Sequence, residues 1–193
     1  FFAGPLTGLA LPRIGAMRVL WVALLMTGLA LAAYLLVQNG PALLWIAALA
    51  AMGFSVGAAM TGASSAVMMS APEDRAGMAA SVEEVSYELG GALGVALLGS
   101  LMTAIYTRSL ILPDHIAIPP EARDSLDEAL ILSEALPPDH AAEVTSLARM
   151  AFENAFIGVT LAAVAVLIAV ALVIWRKAYA APRQSGTASS AAR

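Results

Sequence analysis

The sequence predicts an all-α membrane protein, a helical bundle with a helical hairpin outside the membrane. Two observations lead there. Of the 193 residues, 60% are hydrophobic and 12% are charged, where an ordinary soluble domain carries about a quarter charged residues. The acids are also unevenly spread: nine of the fourteen fall within 107–154, leaving long apolar runs on both sides.

A helix crossing the hydrocarbon needs about 20 mostly apolar residues at 1.5 Å rise each. With no water there to satisfy backbone groups, the helix is the expected spanning form. Spans are expected over 18–38, 41–70, 77–106 and 155–175. Residues 19–37, 42–70 and 155–175 are free of charge, whereas the third span carries Glu88 near its start. "FFAGPLTGLA" has neither an initiator methionine nor the basic start of a signal peptide. Residues 1–12 therefore read as the end of a preceding spanning helix and the start of a loop, which makes the chain the C-terminal part of something larger.

Basic residues in short connections set the orientation. Arg13 and Arg18 flank the first connection, Arg75 lies in the 71–76 loop, and Arg176, Lys177 and Arg183 follow the last span, while the "QNGP" turn is uncharged. These basic connections then fall on the cytoplasmic side of the cell inner (plasma) membrane, with the C-terminus inside and 107–154 outside. Trp21, Trp45 and Trp175 sit near span ends, as interfacial aromatics do. The tail at 176–193 is Ala, Ser, Gly and basic residues, and is expected to be disordered.

The outer segment reads as a helical hairpin. "IPPEARDSLDEALILSEALPP" is bracketed by Pro119-Pro120 and Pro137-Pro138, with Leu126, Ala129, Leu130 and Ser133 at helical spacing. A second arm, with Val144, Leu147, Ala148 and Ala151 on one face, runs into the final span. Its acids read as a solvated face, one that could also concentrate cations near the membrane.

Composition excludes several chemistries. The absence of cysteine removes disulfides, thiolate metal sites and thiol nucleophiles. His115 and His140 lie far apart in the polar segment and form no cluster at metal-ligand spacing. No basic stripe suits nucleic acid, and no nucleophile–base pair suits an enzyme. No metal or cofactor is called for.

Small residues recur at four-residue spacing: Gly53 with Gly57, Ala58 with Gly62, and Gly90 with Gly94. In lipid such stripes let helices approach closely, so they predict a crowded bundle.

The stretch "SVEEVSYELGGALG" places Glu83, Glu84 and Glu88 at the start of the third span. Glu84 and Glu88 share a helix face, and Glu83 is turned about 100° from Glu84. Counted inward from Tyr106, Glu88 lies about 27 Å away, just inside a core about 30 Å thick. An acid so placed must face a cavity or a partner, which makes it a functional candidate. Glu83 reads as solvated at the membrane edge. A carboxylate that binds either a proton or a lipophilic cation is the minimal element of an antiporter.

These residues bear a resemblance. "APEDRAGMAASVEEVSYELGGALGVALLGSL" resembles the start of the thirteenth span in the 14-span drug:proton antiporters of the major facilitator superfamily, exporters of quaternary ammonium compounds, methyl viologen and related dyes. "GLALPRIGAMRVL" is similar to the degenerate second copy of that superfamily's loop motif, through Gly8, Arg13, Gly15 and Arg18, with Pro12 where many copies carry aspartate. The resemblance implies the C-terminal half of a major facilitator fold, partial here, holding the end of span ten and spans eleven to fourteen. It implies proton coupling and cation recognition at Glu84 and Glu88, and to a lesser degree at Glu83. The implied partners are lipophilic cations, protons, membrane lipid and the missing N-terminal half of the transporter, with no nucleic acid. Two alternatives stay open: a superfamily transporter of an endogenous metabolite, sharing the fold with another substrate, and a self-contained four-span interaction or scaffold protein.

Overall fold

The computed structural model describes residues 2–113 and 115–180. Of the tail expected to be disordered, residues 181–193 lie outside the described residues, as do Phe1 and Asp114. Six α-helices carry the fold: α1 (Ala3–Ile14), α2 (Ala16–Val37), α3 (Ala42–Ser70), α4 (Ala76–Ser109), α5 (Leu126–Ser133) and α6 (Pro138–Ala180). Two 3-10 turns, Glu73–Arg75 and Pro120–Arg123, complete it, and no strand occurs among the described residues. Four segments are long and apolar enough to cross a membrane: Ala16–Val37, Ala42–Ser70, Glu73–Ser109 and Pro138–Tyr179.

Local chemistry sets the breaks. Gly15 alone joins α1 to α2, at φ 86° and ψ 143°, a region essentially reserved for glycine. Its N–H closes α1 on the Leu11 carbonyl at 2.8 Å, and its own carbonyl accepts from Val19 N–H at 3.1 Å to open α2. Pro41 precedes the first residue of α3 in an extended conformation, after a turn closed by Gly40 N–H on the Val37 carbonyl at 2.9 Å. Ala71 and Pro72, both extended, end α3.

The helix α2 lies between α3 and α6; α1 packs on α3, α4 on α6, and α5 on the first turns of α6. Small residues make these contacts. A Cβ on Gly62 would stand 3.2 Å from the Leu20 backbone nitrogen and from Val19 Cγ1, and one on Gly57 would stand 2.8 Å from Ala3 Cβ. On the other side of α2, a Cβ on Gly28 would stand 3.4 Å from Ile168 Cγ1, and one on Gly158 of α6 would stand 2.7 Å from the tip of Ile105. One buried polar link joins α2 to α3: Thr27 Oγ1 lies 2.9 Å from Ser55 Oγ, and Ser55 donates to the Met52 carbonyl at 2.9 Å. Both side chains are almost fully enclosed, so in hydrocarbon each needs the partner it has.

At the far end a second core forms around Tyr106, Leu110, Ala122, Ala129, Ala148, Ala151 and Ala155. Tyr106 is 2% exposed, and its hydroxyl reaches the Ser125 carbonyl at 3.0 Å. Thr107 donates to the Arg123 carbonyl at 2.9 Å, tying the segment after α4 back onto its last turn. Ser125 caps α5 by accepting from Glu128 N–H at 3.1 Å. The buried faces here, Ala129 and Ser133 on α5 and Val144, Ala148 and Ala151 on α6, belong to the two helical stripes of the sequence.

His115 and His140, distant in sequence, are brought together by the hairpin: their rings meet edge-on at 5.6 Å, and His115 Nε2 lies 3.6 Å from Glu143 Oε2. His115 thus reaches the start of α6 at His140 and Glu143, a proximity that spacing alone does not reveal.

Three outcomes follow. Gly62→Val should lower the thermal stability of the detergent-solubilised protein by about 1–3 kcal/mol, because the Leu20 backbone cannot move aside as a side-chain tip can. Gly53→Ala, where a Cβ meets nothing within 4 Å, should be neutral or stabilising by up to about 1 kcal/mol. Tyr106→Phe should cost about 1 kcal/mol and speed hydrogen exchange over 120–133 while leaving α2 and α3 unchanged.

Candidate functional site

The third long helix, α4, begins at Ala76 after the turn Glu73–Arg75, where Arg75 supplies no side-chain cap and pairs with Asp74 across 3.8 Å on the open surface. Glu83 lies about 10 Å along the axis from Ala76 and Glu88 about 18 Å. None of the three acids sits in the first turn, so the helix dipole, which acts over a single turn, does not account for them.

Their side chains divide between two faces. Glu83 is half-buried and faces α3; Glu84 and Glu88 are exposed. The physical reason is the helical period: Glu83 and Tyr87 are four apart and share a face, and that face is the one turned to α3. The deepest acid by residue count, Glu88, is therefore not the one facing a neighbouring helix within this chain.

Between α3 and α4 runs a groove in two parts. One hollow of about 230 Å³ is lined by Ala63, Val67, Val82, Glu83, Ser86 and Tyr87. The other, of about 500 Å³, shares Val67 and Val82 and extends past Met78 and Pro72 to Arg75. Ser86 spends its proton on the Val82 carbonyl at 2.7 Å and so offers the groove only acceptor lone pairs. One carboxylate, a phenol, a hydroxyl oxygen and apolar walls make a surface suited to an apolar cation.

The packing glycines take different places. Gly57 meets α1, and Ala58 and Gly62 are buried, Gly62 against α2. A Cβ on Gly53, Gly90 or Gly94 would meet nothing within 4 Å among the described residues. The stripe on α4 thus lies open in this chain, beside exposed Leu89, Leu93 and Leu97.

The four loop-motif residues lie around the α1–α2 junction. Gly8 is on α1 with open space around it, Arg13 ends α1, Gly15 makes the turn, and Arg18 opens α2. The Arg18 guanidinium rests 5.8 Å from the centre of the Tyr179 ring on α6, within cation–π range. No group of three His, Cys, Asp or Glu able to hold a metal occurs among the described residues.

Sequence reasoning missed the groove's other members, Tyr87, Ala63 and Val67. The signal was present in two i, i+4 pairs, Glu83/Tyr87 and Ala63/Val67, but nothing in the spacing says that these two faces meet. Gly15→Ala should lower stability by about 1–3 kcal/mol through backbone strain alone, read as a drop in unfolding temperature with helix content unchanged.

No family model matches the chain, and no solved structure matches it. Among curated proteins it is 33% identical over 160 residues to the methyl viologen resistance protein SmvA of two Salmonella typhimurium strains, covering 78% of this chain and 31% of that protein. It is 29% identical over 133 residues to the multidrug efflux pump LfrA of Mycolicibacterium smegmatis, covering 67% of this chain and 26% of the pump. The chain is thus similar over most of its length to proteins of drug efflux and resistance, and spans under a third of the length of the relatives it matches.

Proposed function

We propose that this chain forms part of a proton-coupled multidrug exporter of the major facilitator superfamily, one that moves lipophilic or quaternary cations out across the bacterial inner membrane. The observation that carries the reading is the placement of three carboxylates two to four turns into a membrane-crossing helix, one of them lining an apolar groove. Acids at that depth are costly in lipid and are kept where they bind something. The similarity to proteins named for methyl viologen resistance and multidrug efflux supports the same substrate class.

The mechanism rests on competition for negative charge. A carboxylate holds a cation in a low-dielectric groove through a Coulomb attraction that water would largely screen. Protonation removes the charge, and the cation leaves. Glu83 would meet the apolar part of the cation against Tyr87 and Val67. Glu84 and Glu88, on the face that no described element covers, would couple to protons at the contact with the other half of the transporter. Rocking of two halves about a central site would then supply alternating access. The basic end, with Arg13, Arg18, Arg75 and Lys177, would face the cytoplasm.

In the full-length protein, Glu88→Gln should abolish proton-driven efflux of ethidium or methyl viologen with membrane abundance unchanged. Glu83→Gln should leave coupling intact and raise the KM for the cation. Wild-type efflux in both Glu88→Gln and Glu84→Gln would discard the coupling role.

A further inference from the structure

A second constellation lies at the basic end, away from the acids of α4. Arg13 from the last turn of α1, Arg18 from the first turn of α2 and Lys177 from the last turn of α6 line one hollow of about 750 Å³. None of the three has a carboxylate within ion-pair distance among the described residues, where the ion pairs are Arg75–Asp74 and His115–Glu143. Three cations drawn together without a counter-charge repel one another, so the arrangement favours an anion from outside the fold.

The hollow does not end in polar surface. Arg18 and Ile14 also line a second, apolar cavity of about 430 Å³ that runs between α1, α2 and α3 past Leu6, Val22, Met26 and Phe54. Those four side chains and Ile14 are all substantially exposed along its rim. A basic chamber and an apolar slot with a shared wall match one kind of molecule, which has a phosphate at one end and hydrocarbon at the other. The neighbouring aromatics agree: Tyr179 carries Arg18 on its ring, and Trp175 lies 5.9 Å from Tyr179, as amphipathic rings do at headgroup level.

We propose that this paired cavity is a binding site for an anionic phospholipid of the leaflet at the basic end, its phosphate held by Arg13, Arg18 and Lys177 and one acyl chain seated in the α1–α2–α3 slot. Basic pockets between spanning helices on the cytoplasmic side are suited to such headgroups. Ser70, at the edge of the chamber, gives its proton to the Ala66 carbonyl at 2.6 Å. It therefore accepts from a headgroup hydroxyl, as a glycerol headgroup supplies and a choline headgroup does not. The site is independent of the export reading and of the α4 acids.

The test measures lipid retention on the purified full-length protein by native mass spectrometry, with phosphatidylglycerol and phosphatidylcholine of matched acyl chains as probes. Phosphatidylglycerol should be retained preferentially. Each of Arg13→Gln, Arg18→Gln and Lys177→Gln should weaken retention by about fivefold. Arg176→Gln, one residue from Lys177 but outside the chamber, should change it less than twofold. Ala10→Trp, which fills the slot without touching a charge, should also release the lipid. Circular dichroism and unfolding temperature identify any variant that fails to fold, and the remaining single variants then decide. Equal retention of the two lipids, an Arg176→Gln loss as large as the Lys177→Gln loss, or inorganic phosphate displacing the lipid at equal concentration would overturn the proposal.

Discussion

Close approach at α2 is the constraint on which the rest of this structure depends. Lipid tails are as apolar as leucine, so no water-exclusion force draws spanning helices together, and packing and hydrogen bonds must do it. Gly62 lets α3 ride against the backbone of Leu20, and Gly28 lets α6 reach α2 from the other side. The enclosed Thr27–Ser55 pair then fixes how α2 and α3 are rotated about their axes. Each hydroxyl also has an acceptor on its own helix, the Ala23 carbonyl for Thr27 and the Met52 carbonyl for Ser55, both at 2.9 Å, so the pair orients the two helices without being the sole partner of either group.

With α2, α3 and α6 fixed, α4 is the least enclosed of the long helices. It is secured at the hairpin end, where Ile105 reaches Gly158 and Tyr106 sits inside the small core of α5 and α6. Toward the basic end it leans on α3 only across the groove that holds Glu83. Sparse contacts and acids thus occur on the same half of the same helix. A tightly packed helix there would have had no room for charged groups or for a bound cation, so the loose packing and the proposed chemistry go together.

The outer hairpin is a small soluble-type core grafted onto two spanning helices. Alanines fill its centre, which lets α5 lie close against α6, and the tyrosine hydroxyl replaces water for two carbonyls of the connecting turn. Its acids, such as Glu121, Asp127 and Glu134, remain on the outside. The same compactness brings His115, His140 and Glu143 together.

Much of this was legible in order along the chain. Apolar runs gave the four long helices, because hydrocarbon thickness imposes a length that composition alone reveals. The stripes of Leu126, Ala129 and Ser133 and of Val144, Ala148 and Ala151 gave the buried faces of the hairpin, because a helix repeats every 3.6 residues wherever it lies. Small-residue stripes were equally visible, yet they could not say which would be used. Gly62 and Gly57 touch neighbours, while Gly53, Gly90 and Gly94 do not within this chain. The sequence by itself determined that Glu83, Glu84 and Glu88 lie on one spanning helix and on two of its faces. Only the tertiary structure decided that the face of Glu83 and Tyr87 meets α3, and that Arg13, Arg18 and Lys177 share one chamber. Periodicity is a property of each helix alone, whereas the rotation of one helix against another depends on contacts between residues far apart in the chain.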